Sequence, residues 1–248
     1  MNDSVTPSAV TINGSGKVAH TAPVKQGLYD PRHEKDACGV GFVANMKGTR
    51  SHSIIKDGIQ ILENLEHRGA VGADPLMGDG AGMLVQIPHD FFSEECKALG
   101  FTLPDEGKYG VAQVFMPQDE TLRNARDLII KKTIKDEGVE LRGTRQLEVD
   151  NSMLSQDPTI QATEPVHIQY FVTKPEECDT ESFERCLYVC RKRISNRVID
   201  ATDAREDGYY IVSFSARTII YKGMFLADQL GPYYKDLNDQ RFKSAVAL

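Results

Sequence analysis

The sequence predicts a mixed α and β domain, and two observations carry this prediction. Short apolar segments typical of strands alternate with segments whose apolar residues recur at helical spacing. The last two predicted strands, 209–215 and 218–222, are separated by only two residues, which favours an antiparallel hairpin or one interrupted strand. Alternation of this kind indicates helices packed on sheets in layers.

The first two elements follow a charged segment. Residues 38–44 form an apolar run with Val40, Phe42 and Val43, which predicts a buried strand beginning at Cys38. A helix is predicted over 53–66, because five apolar residues recur at helical spacing, with Ser51 or Ser53 as its N-cap.

The remaining elements follow the same alternation. Strands are predicted at 81–87, 109–116, 139–149 and 166–173, and helices at 90–99, 120–137 and 180–198, the last beginning at an Asp179/Thr180 cap. The stretch 151–165 is rich in turn residues. A short helix within 226–237 and a strand over 242–248 complete the pattern.

Composition limits the classes of function. The 248 residues contain 29 Lys and Arg against 36 Asp and Glu, a net charge of −7, which disfavours a nucleic-acid or polybasic membrane surface. No segment approaches the roughly 20 apolar residues that span a bilayer, so we expect a soluble protein. The 5 cysteines lack paired metal spacing and disulfide-scaffold density, which favours a reducing, cytoplasmic location.

The first 37 residues differ from the rest. Residues 1–29 are rich in Ser, Thr, Gly, Pro and Val, and they lack the apolar core of a secretory signal. We therefore predict a flexible leader or propeptide over 1–37 and one domain over 38–248.

Cys38 is the candidate nucleophile. Its simplest interpretation is a small buried residue at the start of a strand. Cleavage between Ala37 and Cys38 would instead place a thiol and a free α-amine on one residue. With reference pKa values of about 8.5 and 7.7–8.0, the amine could accept the thiol proton without a histidine partner.

Three blocks of sequence resemble the glutaminase domain of glutamate synthase large subunits. They are Leu28-Tyr29-Asp30-Pro31-Arg32 with Asp36-Ala37-Cys38-Gly39-Val40-Gly41-Phe42; Leu65-Glu66-His67-Arg68-Gly69-Ala70 with Gly72-Ala73-Asp74 and Gly78-Asp79-Gly80-Ala81-Gly82; and Ser215-Ala216-Arg217-Thr218 with Tyr221-Lys222-Gly223-Met224. The resemblance covers the chain from Leu28 onward, and the order and spacing of the blocks make coincidence improbable.

This resemblance implies a class II glutamine amidotransferase with an α+β, N-terminal-nucleophile (Ntn) hydrolase fold, a four-layer α/β/β/α sandwich of antiparallel sheets. It implies that Cys38 is catalytic, attacking the carboxamide of L-glutamine, and that Arg68 and Gly69 support it, the Gly69 carbonyl orienting the terminal amine. The residues alone favour a second interpretation of His67-Arg68-Gly69, a helix C-terminus closed by a left-handed glycine; both could hold together.

Other motifs have simpler interpretations. Gly78–Gly82 lacks the Gly-Lys-Ser/Thr ending of a phosphate loop, so its glycines indicate a tight turn or close backbone approach, with Asp79 as a loop-stabilising carboxylate. Cys186 and Cys190 lie on or beside the apolar stripe of a helix and indicate core packing, and His167 indicates a satisfied core histidine. We expect no metal site.

The family's domain continues beyond its counterpart of Leu248 into substrate-binding and oxyanion-hole residues, so we expect little activity from this chain alone. In whole glutamate synthases, ammonia passes to downstream domains with FMN and a 3Fe-4S cluster, where 2-oxoglutarate becomes L-glutamate; this segment is expected to bind neither cofactor. Expected partners are L-glutamine, the downstream domains and a small electron-transfer subunit. The alternatives are the glutaminase domain of another class II amidotransferase and a non-catalytic binding or assembly domain.

Overall fold

The structure is a computed structural model that describes residues 38–69, 71–202 and 208–248, with Thr11–Ile12, Val18–Ala19, Lys25 and Gly27. The chain divides into two compact units, Met1–Ala37 and Cys38–Leu248. In the first unit, strands β1 (Thr11–Ile12) and β2 (Val18–Ala19) pair in antiparallel fashion. Apart from these two strands, Lys25 and Gly27, the predicted leader lies outside the described residues, including the 28–32 motif.

The described strands of the second unit form two four-stranded sheets, both antiparallel. The first sheet contains, in spatial order, β3 (Val43–Ala44), β10 (Val246–Ala247), β4 (Ala81–Gln86) and β9 (Thr218–Gly223). The second contains β6 (Glu140–Gln146), β7 (Val166–Thr173), β5 (Tyr109–Met116) and β8 (Tyr210–Ser215). Strands β8 and β9 lie in different sheets and do not pair with each other, so the predicted hairpin between them is wrong; the chain passes from the second sheet to the first at residues 216–217.

Helices connect and cover the sheets. The α-helices of the described residues are α1 (His52–Asn64), α2 (His89–Ala98), α3 (Glu120–Asp136), α4 (Pro158–Gln161), α5 (Thr180–Thr202) and α6 (Leu230–Tyr233). Short 3-10 helices occupy Glu66–Arg68, Ala227–Gln229 and Lys235–Asn238. Asp119 and Asp179 accept hydrogen bonds from the first turns of α3 and α5, as N-cap residues do.

One hydrophobic core lies between the second sheet and two helices. Helices α3 and α5 pack on each other and reach β6 and β8 respectively. Phe183, Leu187 and Cys190 of α5 are fully buried there, which confirms the predicted core position of Cys190. Arg193 and Arg197 of α5 form ion pairs with Glu137 and Asp136, each at 2.6 Å, which join α5 to the end of α3.

The other hydrophobic core contains residues of both sheets. Met83 pairs with Tyr221 in the first sheet, and both pack in one cluster with Phe171 of the second sheet. Helices α1 and α2 contribute Ile55 and Phe92 to this cluster. The predicted α+β class, with antiparallel sheets between helices, is confirmed.

The predicted strand at Cys38 is wrong in its length and burial. The strand covers only Val43–Ala44, and Val40 and Phe42 are 81% and 69% exposed. Successive residues of extended chain point to opposite sides, and here the glycines occupy the side that faces α1. Val40 and Phe42, which alternate with the glycines, consequently point away from the core.

Several other elements differ from expectation, among them β6, which ends at Gln146 rather than residue 149. Helix α1 ends at Asn64 rather than Glu66, and α5 continues to Thr202 rather than residue 198. The turn-rich stretch contains the short helix α4, whose N-cap Asp157 accepts a hydrogen bond from the Thr159 amide at 2.7 Å. The predicted strand over 242–248 is reduced to Val246–Ala247. Among the described residues, no helix is long and apolar enough to cross a membrane.

Candidate active site

Cys38 differs from the buried cysteines in its surroundings. It lies immediately before the extended segment that leads to β3, and its thiol is free and exposed. Cys96 and Cys190, by contrast, are fully buried, and burial raises the pKa of each thiol to about 12. The predicted interpretation of Cys38 as a small buried residue is therefore wrong.

The two glycines after Cys38 pack on the last turns of α1. A Cβ atom at Gly39 would lie 3.2 Å from side-chain atoms of Leu65, and one at Gly41 would lie 2.5 Å from Cγ2 of Ile61. A real Cβ at the second position would force the Ile61 side chain to shift. The Cys-Gly-Val-Gly pattern thus allows the segment to approach the helix closely, while a cavity of about 170 Å³ lies beside it, lined in part by Met83 and Leu248.

The turn that carries Arg68 and Gly69 follows α1 directly. Leu65 is the residue before the 3-10 helix Glu66–Arg68, and the Gly69 amide donates to the Glu66 carbonyl at 3.0 Å. Gly69 has φ −91° and ψ 155°, which is extended backbone, so the predicted left-handed cap is wrong. The chain continues outward into a loop instead of reversing at the helix end. The Arg68 side chain lies outside the described part of the chain.

The loop between Gly69 and β4 is held by hydrogen bonds within the loop and by one from the distant Ser155. Val71 and Gly78 form an antiparallel bridge, and the Gly72 amide donates to the Met77 carbonyl at 2.8 Å. Asp74 accepts hydrogen bonds from the Leu76 amide at 2.8 Å and from the Ser155 hydroxyl. These bonds, the one from Ser155 first, lower the pKa of the Asp74 carboxyl below its usual range.

The glycine-rich motif sits where backbones approach closely. A Cβ atom at Gly78 would lie 2.1 Å from the Phe225 carbonyl oxygen, and Gly80 has φ +132°. The predicted turn with close backbone approach is confirmed. Asp79 lies beside the Arg68–Gly69 turn, because its Oδ1 is 3.5 Å from a Cβ position built on Gly69. Its stabilising role stays a prediction.

These contacts bring the sequence blocks near one another. Gly39 touches Leu65, which opens the Arg68–Gly69 turn, and Asp79 of the glycine-rich motif touches the far end of that turn. Residues from three separate stretches of sequence therefore meet around the end of α1.

Gln229, which the sequence did not single out, has a side chain that holds the loop between Gly69 and β4 in place. Gln229 is 2% exposed, and its Nε2 donates to the carbonyls of Leu76 at 3.0 Å and Met153 at 3.1 Å. Its Oε1 accepts from the Leu226 amide at 2.9 Å. Because Leu76 and Met153 are distant from Gln229 in sequence, no local pattern indicates these two contacts.

The sequence model of one family, described as "Glutamine amidotransferases class-II", matches residues 38–248. The chain belongs to this family. The match begins at Cys38, the first residue of the second compact unit.

The amidotransferase chain is similar to curated glutamate synthases. It is 41% identical over 228 residues to the "Glutamate synthase [NADPH] large chain" of Bacillus subtilis, covering 91% of this chain and 14% of that protein. It is 39% identical to the "Glutamate synthase [NADH]" of Saccharomyces cerevisiae, covering 93% and 11%, and 37% identical to the "Ferredoxin-dependent glutamate synthase, chloroplastic" of Oryza sativa, covering 98% and 15%. The amidotransferase chain thus spans about one-seventh or less of their length.

Iron–sulfur clusters are held by groups of cysteine thiolates. The described part of the amidotransferase contains no group of three or more His, Cys, Asp or Glu side chains that could hold a metal ion. These residues do not fit an iron–sulfur cluster, and no step of the chemistry below involves one.

Proposed function

We propose that this chain is the glutaminase domain of a glutamate synthase, with Cys38 as its nucleophile after removal of residues 1–37. The observation that carries the proposal is the coincidence of three features at Cys38. It is the first residue of the family match, the first of the second compact unit, and an exposed free thiol. The similarity to proteins named glutamate synthase favours this function over other class II amidotransferases.

The proposed chemistry needs only the groups of the mature terminal residue for its first step. The α-amine of Cys38 takes the thiol proton, and the thiolate attacks the carboxamide carbon of L-glutamine. The resulting tetrahedral intermediate expels ammonia, which takes a proton back from the α-ammonium group, and a γ-glutamyl thioester remains. Water then hydrolyses the thioester, which releases L-glutamate and restores the thiol.

The turn after α1 is proposed to support this residue. In the proposal, the Gly69 carbonyl accepts a hydrogen bond from the Cys38 α-amine and Arg68 lies beside the nucleophile. The extended backbone at Gly69 supports this role, because it shows that Gly69 does not serve as a left-handed cap of the helix. The contact of Gly39 with Leu65 supports it further by holding the segment after Cys38 against the same turn.

The proposal extends to the larger protein. Ammonia from Cys38 would serve the reductive amination of 2-oxoglutarate to L-glutamate in downstream domains, which would hold the FMN and 3Fe-4S cluster. A small electron-transfer subunit is a further proposed partner. We also propose a cytoplasmic location. The five free cysteines support a reducing compartment. The rice relative is named as a chloroplastic protein, so the chloroplast is the alternative compartment.

The full-length polypeptide provides the direct test. Mass spectrometry is expected to find a mature terminus at Cys38, and 6-diazo-5-oxo-L-norleucine, an electrophilic glutamine analogue, is expected to alkylate that residue. Cys38→Ala should abolish glutamine-dependent glutamate formation and preserve formation from added ammonia. Cys186→Ala, at a partly buried cysteine of α5, is the matched control. A mature terminus elsewhere, or full glutamine-dependent activity of Cys38→Ala, would contradict the proposal.

A further inference from the structure

A cavity of about 250 Å³ is lined in large part by the 151–165 stretch, and Cys38 is not among its lining residues. Its apolar wall comes from the end of β5, from α4 and from the segment after β9, and it includes Phe115, Leu154, Ile160 and Phe225. Cavities that hold small molecules in proteins are mostly apolar and carry a few fixed polar groups. This cavity has that composition.

Its polar end is a carboxylate held in a fixed position. The Tyr233 hydroxyl donates to Oε1 of Glu164 at 2.8 Å, and Nδ2 of Asn151 donates to Oε2 at 3.0 Å. All three residues line the cavity. Each carboxylate oxygen has more than one acceptor position, so the carboxylate retains capacity to accept from a ligand.

The histidine behind this carboxylate completes the chain of hydrogen bonds. Nε2 of His167 lies 2.9 Å from the Tyr233 hydroxyl. Because that hydroxyl donates its proton to Glu164, His167 must act as the donor to Tyr233, with its proton on Nε2. Burial lowers the pKa of His167 to about 4, so the imidazole is neutral at pH 7.

The charges around the cavity leave Glu164 unopposed within it. The other charged residue of its described lining is Lys222. The Lys222 ammonium lies 4.3 Å from the centre of the Tyr210 ring, and Tyr210 lines a neighbouring cavity rather than this one. The Lys222 ammonium thus lies over the Tyr210 ring, and among the described residues no ion pair joins it to Glu164, the one carboxylate of the lining.

We propose that this cavity binds a small organic cation, a primary amine with a compact aromatic or branched aliphatic body. The ammonium group would donate to the Glu164 carboxylate, and the body would lie against Phe115, Phe225 and the Tyr233 ring. Aromatic faces attract cations as well as apolar groups, so these rings can contact both the ammonium group and the apolar body of the ligand. The lining includes neither Cys38 nor Gly69.

The test uses the 248-residue chain with phenethylamine as the probe and 2-phenylethanol as its uncharged counterpart. Isothermal titration calorimetry should give saturable binding of the amine with a Kd below about 1 mM, and the alcohol should bind about tenfold more weakly. Glu164→Gln should weaken binding of the amine about tenfold and leave the alcohol unchanged. Glu148→Gln, at an exposed carboxylate outside the cavity lining, is the matched control and should change neither.

Ile160→Trp gives an independent variant, because its larger side chain on the short surface helix α4 should fill the cavity and abolish binding of both probes. Circular dichroism and urea unfolding establish that each variant is folded. Three results would overturn the proposal: no saturable binding of phenethylamine by the unaltered chain, equal affinity for amine and alcohol, or unchanged amine binding in a folded Glu164→Gln or Ile160→Trp variant.

Discussion

Both terminal guanidinium nitrogens of Arg145 donate to the carboxylate of Asp236, each at 2.7 Å. The side chains are 8% and 4% exposed, so the pair is almost fully withdrawn from water. The Tyr221 hydroxyl donates to the same carboxylate at 2.8 Å, and Oε1 of Gln169 accepts from Arg145 at 3.1 Å. This cluster joins the second sheet to β9 and to the 3-10 helix Lys235–Asn238.

Removing one partner of this buried pair should destabilise the domain strongly. Asp236→Asn leaves the buried Arg145 charge with only the longer contact to the partly exposed Glu95 carboxylate, at 3.5 Å, and breaking such buried pairs costs about 3–5 kcal/mol. Urea unfolding monitored by circular dichroism measures the change in the free energy of unfolding. Lys235→Gln is the control, because the adjacent Lys235 pairs with Glu148 at 3.2 Å with both side chains exposed, and its loss should cost no more than about 1 kcal/mol. Similar effects of the two substitutions would contradict this account.

The glycine-rich motif makes a second prediction. Gly78→Ala places a methyl group 2.1 Å from the Phe225 carbonyl oxygen, and backbone cannot yield as a flexible side chain does. Overpacking typically costs about 1–3 kcal/mol and occasionally more, and we expect the upper end of that range.

Gly72→Ala in the same loop is the matched control. The nearest atom to its added methyl group is 3.4 Å away, which is ordinary van der Waals contact, and a small effect on the free energy of unfolding is expected. The same urea titrations compare the two variants. Equal destabilisation would mean that both glycines are required by conformation rather than by space.

Thiol chemistry gives a third prediction. With a pKa of about 12, Cys190 has a thiolate fraction of only ~10⁻⁴ at pH 8, and it is fully buried as well. Iodoacetamide should therefore modify the exposed Cys38 at least about a hundredfold faster than Cys190 in the folded chain. Peptide mapping at successive times measures both rates, and urea should make them similar. Slow modification of Cys38 would mean that its thiol is covered.

How far the sequence predicts this molecule depends on the range of each interaction. The limits of β5 and β7, 109–116 and 166–173, are as predicted, because their apolar patterns are continuous and bounded by turn residues. The pair Arg145–Asp236 spans 91 positions, and Asp74–Ser155 spans 81, so no local period relates the partners. Burial at Val40 and Phe42 was mispredicted because an apolar run does not reveal which of its sides meets a helix. At the candidate site, the motif alone singles out Cys38. The packing of Gly39 and Gly41 on α1 joins residues far apart in sequence, so no local pattern predicts it.

Protonation of His167 should make stability depend on pH. Burial lowers its pKa to about 4 in the folded chain, against about 6.5 for an unfolded histidine. Between these values the unfolded chain binds a proton that the folded chain does not, so the free energy of unfolding falls as pH falls from 6.5 to 4. The full effect of a shift of about 2.5 pKa units is about 3 kcal/mol, and it is absent above pH 7.5.

Urea unfolding at pH 7.5, 6.0, 5.0 and 4.5 measures this dependence for the unaltered chain and for His167→Gln. Glutamine keeps a donor that can reach Tyr233 but does not titrate, so the variant should lose less stability on acidification. The difference between the two chains, rather than either curve alone, isolates His167 from the carboxylates that titrate in the same range. Parallel curves would show that His167 is protonated as readily in the folded chain as in the unfolded one, and the neutral imidazole assigned to the hydrogen-bond chain through Tyr233 would then be wrong.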